Sequence, residues 1–159
     1  MLLWILGSVG LAAAAAFALR GPVTRQRTRN RRADLEDVLK HIFTRRHEGR
    51  EASMESVAGH LRISPRRAIR LCTDLESQGM AESDSGTLRL TLKGEDWARE
   101  VVRAHRLWET YLANEARMSM RDVHGPAERE EHRLVADREV EALDARLGHP
   151  RSDPHGDPI

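Results

Sequence analysis

The sequence predicts a mainly α-helical chain, and three observations carry that prediction. Aromatic residues make up 4% of the 159 residues and charged residues 32%, a balance that suits amphipathic helices around modest cores better than a β-sandwich. From Asp34 onward apolar residues recur at helical spacing, with Leu35, Val38, Leu39, Ile42 and Phe43 at i, i+3, i+4, i+7 and i+8. Ahead of them, residues 2–19 (LLWILGSVGLAAAAAFAL) run without a single charge.

That apolar run, as a helix, would reach about 27 Å, just short of a ~30 Å hydrocarbon core. No Lys or Arg precedes it, whereas Arg20, Arg25, Arg27, Arg29, Arg31 and Arg32 follow it. The positive-inside rule therefore predicts one transmembrane anchor over residues 1–20 and a basic linker over 21–33. The remainder is placed in the cytoplasm, at the cytoplasmic membrane. A cleaved secretory signal is the alternative, because alanine-rich ends also resemble cleavage sites. The lone Cys72 excludes a disulfide within the chain and a cysteine-rich zinc site.

The first helix runs from Asp34 to about His47. In SMESVAGHL, Ser53 is the expected N-cap of a short second helix with Met54, Val57, Ala58 and Leu61 on one face. After a tight RIS turn, Ser64 and Pro65 start a third helix, whose buried face is expected at Ala68, Leu71, Cys72 and Leu75 and whose end is Gly79. MAESDSGTLRLTLKG then reads as a small hairpin turning at DSGT. Helix, short helix, tight turn, longer helix and hairpin is the order of a winged helix-turn-helix, placed over residues 34–94. In that motif the third helix enters the major groove by its N-terminal end. Ser64, Arg66, Arg67 and Arg70 lie there and are the candidate DNA contacts, since Arg reads guanine or grips phosphate. The alternative is a solvated surface helix, and winged helices also serve as protein-interaction modules. The expected wing carries Glu82 and Asp84, which disfavours phosphate contact from its tip.

Residues 95–159 begin with a long helix whose apolar face is Trp97, Val101, Leu107, Trp108, Tyr111 and Leu112. His105 and Glu109 stand one turn apart on it. In VHGPAEREEH, His124 and Glu128 are also i and i+4. If residues 126–134 are helical, Glu128, Glu131 and His132 share a face. Inward-pointing Glu-x-x-His pairs build carboxylate–imidazole metal sites in helical proteins. The plainer reading is a solvated Glu- and Arg-rich face. The tail GHPRSDPHGDPI, with Pro150, Pro154, Gly156 and Pro158, is expected to be extended, with His149 and His155 in packing or solvent roles.

The phrases LTLKGEDWAREVVRAHRLWETYL, VHGPAEREEHRLVADREVEALDARLGHP and DPHGDPI, in this order, are similar to the iron- and manganese-dependent repressors of the diphtheria-toxin-repressor-like family. The resemblance implies a helical metal-binding and dimerisation domain over 95–159 and a divalent-metal site on Asp37, Glu128, Glu131 and His132. It implies a neighbouring site on His105, Glu109 and His124. In manganese-type members the position of His105 belongs to the main site. Glu128 stands where iron-type members carry cysteine, and an all-oxygen-and-nitrogen set suits Mn2+ or Fe2+. Lys40 departs from the family, standing where manganese-type members supply a second carboxylate. Trp108, Tyr111, Leu112, Leu143 and Leu147 are the expected dimer core.

The expected function is thus a membrane-tethered, Mn2+- or Fe2+-dependent DNA-binding repressor, acting as a homodimer on operator DNA. The alternative is a membrane-anchored metal-sensing subunit of a metal ABC transporter that does not bind DNA. No nucleophile–base pair or phosphate loop marks an enzyme.

Overall fold

The computed structural model describes residues 30–137 and 139–159. The expected anchor and most of the basic linker lie outside them. Among the described residues no helix is long and apolar enough to cross a membrane.

The fold is mainly helical. Helix α1 covers residues 30–47, followed by α2 (Met54–His60) and α3 (Pro65–Ser77). Strands β1 (Ala81–Asp84) and β2 (Thr87–Leu90) follow, then α4 (Leu92–Asn114), α5 (His124–Asp137) and α6 (Val140–Arg146). Residues 34–159 form one compact unit, which nevertheless holds two apolar cores.

The first core gathers Val38, Leu39 and Ile42 of α1, Val57 of α2, Ala68, Leu71, Cys72 and Leu75 of α3, Leu88 and Leu90 of β2, and Ala98 of α4. Fully burying each large aliphatic side chain contributes about 1.5–3 kcal/mol before conformational entropy is charged against it. Local chemistry sets the element ends. Ser53 and Ser56 form a reciprocal capping box at the start of α2. The turn into α3 closes through Ile63 N–H donating to Ala58 O (3.0 Å), with Arg62 at φ +53° in the left-handed position that glycine usually fills. Pro65 opens α3 as expected, but the Ser64 hydroxyl makes no capping hydrogen bond. Ser85 and Gly86, both at positive φ, make the two-residue turn of an antiparallel hairpin that pairs Ala81 with Leu90 and Asp84 with Thr87.

The start of α4 differs from the sequence reading, which began this helix after Gly94. The helix starts three residues earlier, at Leu92, where Thr91 caps it by accepting from Gly94 N–H at 3.2 Å. This end is clasped to the chain leaving α3. Thr91 N–H donates to Met80 O (3.1 Å), the Thr91 hydroxyl to Gly79 O (2.8 Å) and Lys93 Nζ to Gln78 O (2.9 Å). The backbones approach so closely that a Cβ on Gly94 would sit 1.9 Å from Met80 O.

The second core is smaller. Ala104 and Leu107 of α4 meet Val140 and Leu143 of α6, with Trp108, Tyr111, Leu147 and Ile159 packed around them. Helix α5 packs along α4, burying Val123 just before it and Ala127 within it. The tail is extended but not loose. Ser152 bridges Pro158, and buried Asp153 accepts from the backbone N–H groups of His155 and Asp157.

Gly94→Ala is expected to destabilise the fold by about 1–3 kcal/mol, because the obstructing atom is backbone. Gly59→Ala, which meets nothing within 4 Å on α2, is expected to stabilise by about 0.5–1 kcal/mol. Denaturant unfolding of both variants measures the difference, and equal effects would show that the α4 docking is not tight.

Candidate metal centre

Among the described residues, two groups bring potential metal-ligating atoms within 4.8 Å of one another: Asp37, Glu131 and His132, and His105, Glu109 and His124. Three helices build them. Asp37 projects from α1. His105 and Glu109 lie one turn apart on α4, and His124, Glu131 and His132 come from α5. Because α5 runs from His124 to Asp137, longer than the expected 126–134, His124 occupies its first turn beside Glu128.

Glu131 is the most enclosed member, with its side chain wholly removed from solvent. Its carboxylate accepts from Lys40 Nζ at 2.9 and 3.1 Å and pairs closely with His105 Nδ1. His132 points Nε2 at Asp37 Oδ1 (3.2 Å) and at Glu131 Oε1 (3.7 Å). Its Nδ1 lies 2.7 Å from Glu36 Oε2. Glu36 is itself buried, and its other oxygen accepts from Trp97 Nε1 at 3.3 Å. This glutamate orients the imidazole so that Nε2 faces the Asp37 group, as carboxylates behind metal-bound histidines do.

In the neighbouring group, Glu109 Oε1 lies 3.1 Å from His105 Nε2 and 3.0 Å from His124 Nδ1. His155 Nε2 stands 3.9 Å from the same oxygen, nearer than a purely solvent role implies. His149 pairs instead with Asp144 (2.9 Å) on an exposed surface. Glu128 does not close into the Asp37 group. Its half-exposed side chain lies 3.5 Å from His124 Nε2 and borders the clefts beside both groups.

Electrostatics follow the same geometry. Burial pushes the His132 imidazole down, but its hydrogen bonds to Asp37 and Glu36 and the nearby negative charge outweigh it and raise its pKa from 6.5 to about 10. Burial likewise opposes the His105 cation, and hydrogen bonds to Glu109 and Glu131 raise it overall. For Glu109, burial pushes the carboxyl up, and the two histidines beside it prevail and hold it at about 2. Without metal, the proton that His132 holds offsets the negative charge of the carboxylates around it. The donor set contains only oxygen and nitrogen, which fits a hard or borderline divalent ion. Asp37, Glu131 and His132 could hold one such ion, and His105, Glu109 and His124 another.

Sequence reasoning missed Glu36. A signal existed: Glu36 stands at i−3 and i−7 from Leu39 and Phe43, an acid on the apolar face of α1. The candidate DNA contacts Ser64, Arg66, Arg67 and Arg70 are all exposed at the N-terminal half of α3. Arg67 is tied to Asp34 of α1 at 2.6 Å and lines the cleft beside Asp37 and His132.

Residues 91–159 match the family described as iron dependent repressor, metal binding and dimerisation domain. Among solved structures, a manganese-dependent transcriptional repressor in complex with manganese is 38% identical with a TM-score of 0.72, covering 79% of this chain and 57% of that one. The manganese regulator SloR is 29% identical with a TM-score of 0.67, covering 79% of this chain and 61% of that one. A probable metal transport system membrane protein of Chlamydia trachomatis serovar D is 36% identical over 98 residues, 61% of this chain and 20% of that protein. A similarly described protein of Chlamydia pneumoniae is 46% identical over 54 residues, 34% of this chain and 12% of that protein. The chain thus spans a fifth or less of these curated relatives and about three fifths of the two solved chains.

A group raised by folding stabilises the fold fully below its unfolded pKa and loses that contribution as pH climbs to its folded value. From pH 6.5 to about 10, folded metal-free His132 keeps a proton that the unfolded chain has released. The metal-free protein is therefore expected to lose stability across that window, and divalent-metal uptake there is expected to release protons. Calorimetric metal titrations in buffers of different ionisation enthalpy measure the release. Heats independent of buffer would mean that His132 is neutral before metal arrives.

Proposed function

We propose that this chain is a metal-responsive DNA-binding regulator whose signal is Mn2+ or Fe2+. The observation that carries this reading is the convergence of Asp37, from the first helix, with Glu131 and His132, ninety-odd residues away on α5. A bound ion would supply a divalent charge shared by those donors, and Glu128 at the cleft margin is the remaining donor within the neighbourhood. His105, Glu109 and His124 would hold a second ion or regulate the first. The manganese-bound repressor among the similar structures and the family match over 91–159 support this reading.

In this reading residues 34–94 act as a winged helix-turn-helix. Ser64, Arg66 and Arg70 at the exposed start of α3 read or grip DNA, and Arg67 exchanges its contact with Asp34 for phosphate. Residues 95–159 bind metal and dimerise. Trp108, Tyr111, Leu112, Leu143 and Leu147 suit a dimer face, because the second core is small. Residues 2–19 tether the chain to the membrane with the rest in the cytoplasm, by the charge asymmetry around them.

A second reading has a specific observation in its favour. Ninety-eight residues resemble part of a metal transport system membrane protein. The same metal-responsive unit would then regulate a metal transporter at the membrane without touching DNA.

Asp37→Ala is expected to leave the chain folded and to weaken metal-stimulated DNA binding. Arg70→Ala is expected to preserve metal affinity and to lower DNA affinity by ~1–3 kcal/mol if the lost contact is a bidentate base contact. Fluorescence anisotropy with operator-sized and random duplexes, with and without Mn2+ at fixed salt, measures both. Wild-type protein that takes up Mn2+ but shows no metal-stimulated DNA binding would abandon the repressor reading in favour of the transporter one.

A further inference from the structure

We propose that Lys40 is a built-in cation holding the place of a metal ion between Glu131 and His105, so that the cluster accepts fewer divalent ions than its carboxylates and imidazoles could otherwise bind. The inference rests on the metal-binding part of the proposed function and deepens it. Lys40 Nζ stands 2.9 and 3.1 Å from the two Glu131 oxygens and 3.2 Å from His105 Nδ1. These are the donor atoms that a divalent ion at that point would take. Glu131 is fully buried and the Lys40 side chain is 19% exposed, so the pair is shielded from water and salt. A buried carboxylate without a counter-charge is strongly destabilising, and the lysine supplies that counter-charge from within the chain.

The placement has two consequences. First, ions are confined to either side of the ammonium, at Asp37, Glu131 and His132 or at His105, Glu109 and His124, because a divalent ion cannot share the Glu131–His105 locus with a positive nitrogen. Second, the ammonium ties α1 to α5 and approaches α4 in the absence of metal. The same approach of α1 to α5 that a metal ion would favour is thus partly in place beforehand. Lys40 is a positioning and stoichiometry-determining residue in this scheme.

Two variants of the full chain, purified in mild detergent, test it. Lys40→Glu replaces the cation by a carboxylate, and equilibrium dialysis with metal analysis is expected to find about one more Mn2+ per protomer than in wild type. Lys40→Met removes the charge and keeps an unbranched side chain only one atom shorter. Its melting temperature without metal is expected to fall, and its rise on adding Mn2+ to be roughly twice that of wild type, since the ion now also offsets the lost counter-charge. Lys40→Met keeps the proposal testable if Lys40→Glu does not fold. Equal Mn2+ uptake by wild type and Lys40→Glu overturns the proposal and leaves the metal-responsive reading standing, as does an unchanged Mn2+ response in Lys40→Met. Uptake by Lys40→Glu with none by wild type supports the proposal and removes the metal-responsive reading. No uptake by either removes both.

Discussion

Everything around the candidate centre depends on one buried charge. Glu131 is removed from solvent on the inner face of α5, and taking a carboxylate out of water carries a penalty of several kcal/mol unless positive groups surround it. Lys40 from α1 and His105 from α4 meet it directly, and His132 stands next to it on its own helix. Because its counter-charges come from different helices, neutralising Glu131 also brings α1, α4 and α5 together. The first apolar core holds α1 to α2, α3 and the hairpin, while the second lies at the far part of α4 against α6. Among the described residues, the polar cluster around Glu131 joins α1 to α5 where neither apolar core does.

The elements themselves were largely legible in the sequence. Helical periodicity located α1 and the buried faces of α2 and α3, and the DSGT turn located the hairpin, because all of these signals are local. The early start of α4 was not legible. Gly94 looked like a break, and it is a glycine because another backbone passes against it. The candidate centre was half legible for the same reason. Spacing along one helix paired His105 with Glu109 and Glu131 with His132, and the family resemblance added Asp37. Contacts across helices, such as Lys40 with Glu131 and Glu36 with His132, join residues 91 and 96 positions apart, and no periodicity reports them. Glu128 shows the converse: its place on the helix suits the main group, and its side chain sits at the cleft margin beside His124.

These features bear on how a metal signal would be transduced. An ion shifts a conformational equilibrium only by its differential affinity for the two states. With Lys40 already drawing α1 towards Glu131, the ion does not have to create the approach of the helices. It has to bind Asp37 and His132 more tightly in that arrangement than in any looser one. Glu36 favours this by fixing the ring of His132, and the proton on the imidazole of the metal-free protein opposes it. Acidity and a bound ion would therefore compete for the same nitrogen, through a residue that also touches α1.

The most direct measurement is anomalous diffraction from Mn2+-loaded crystals of the protein. The expected result is a manganese peak bounded by Asp37, Glu131 and His132, with the Lys40 ammonium still on the Glu131 carboxylate. A peak between Glu131 and His105 with Lys40 displaced, or no peak against Asp37, would contradict both the bridging role of α1 and the lysine's place within the centre.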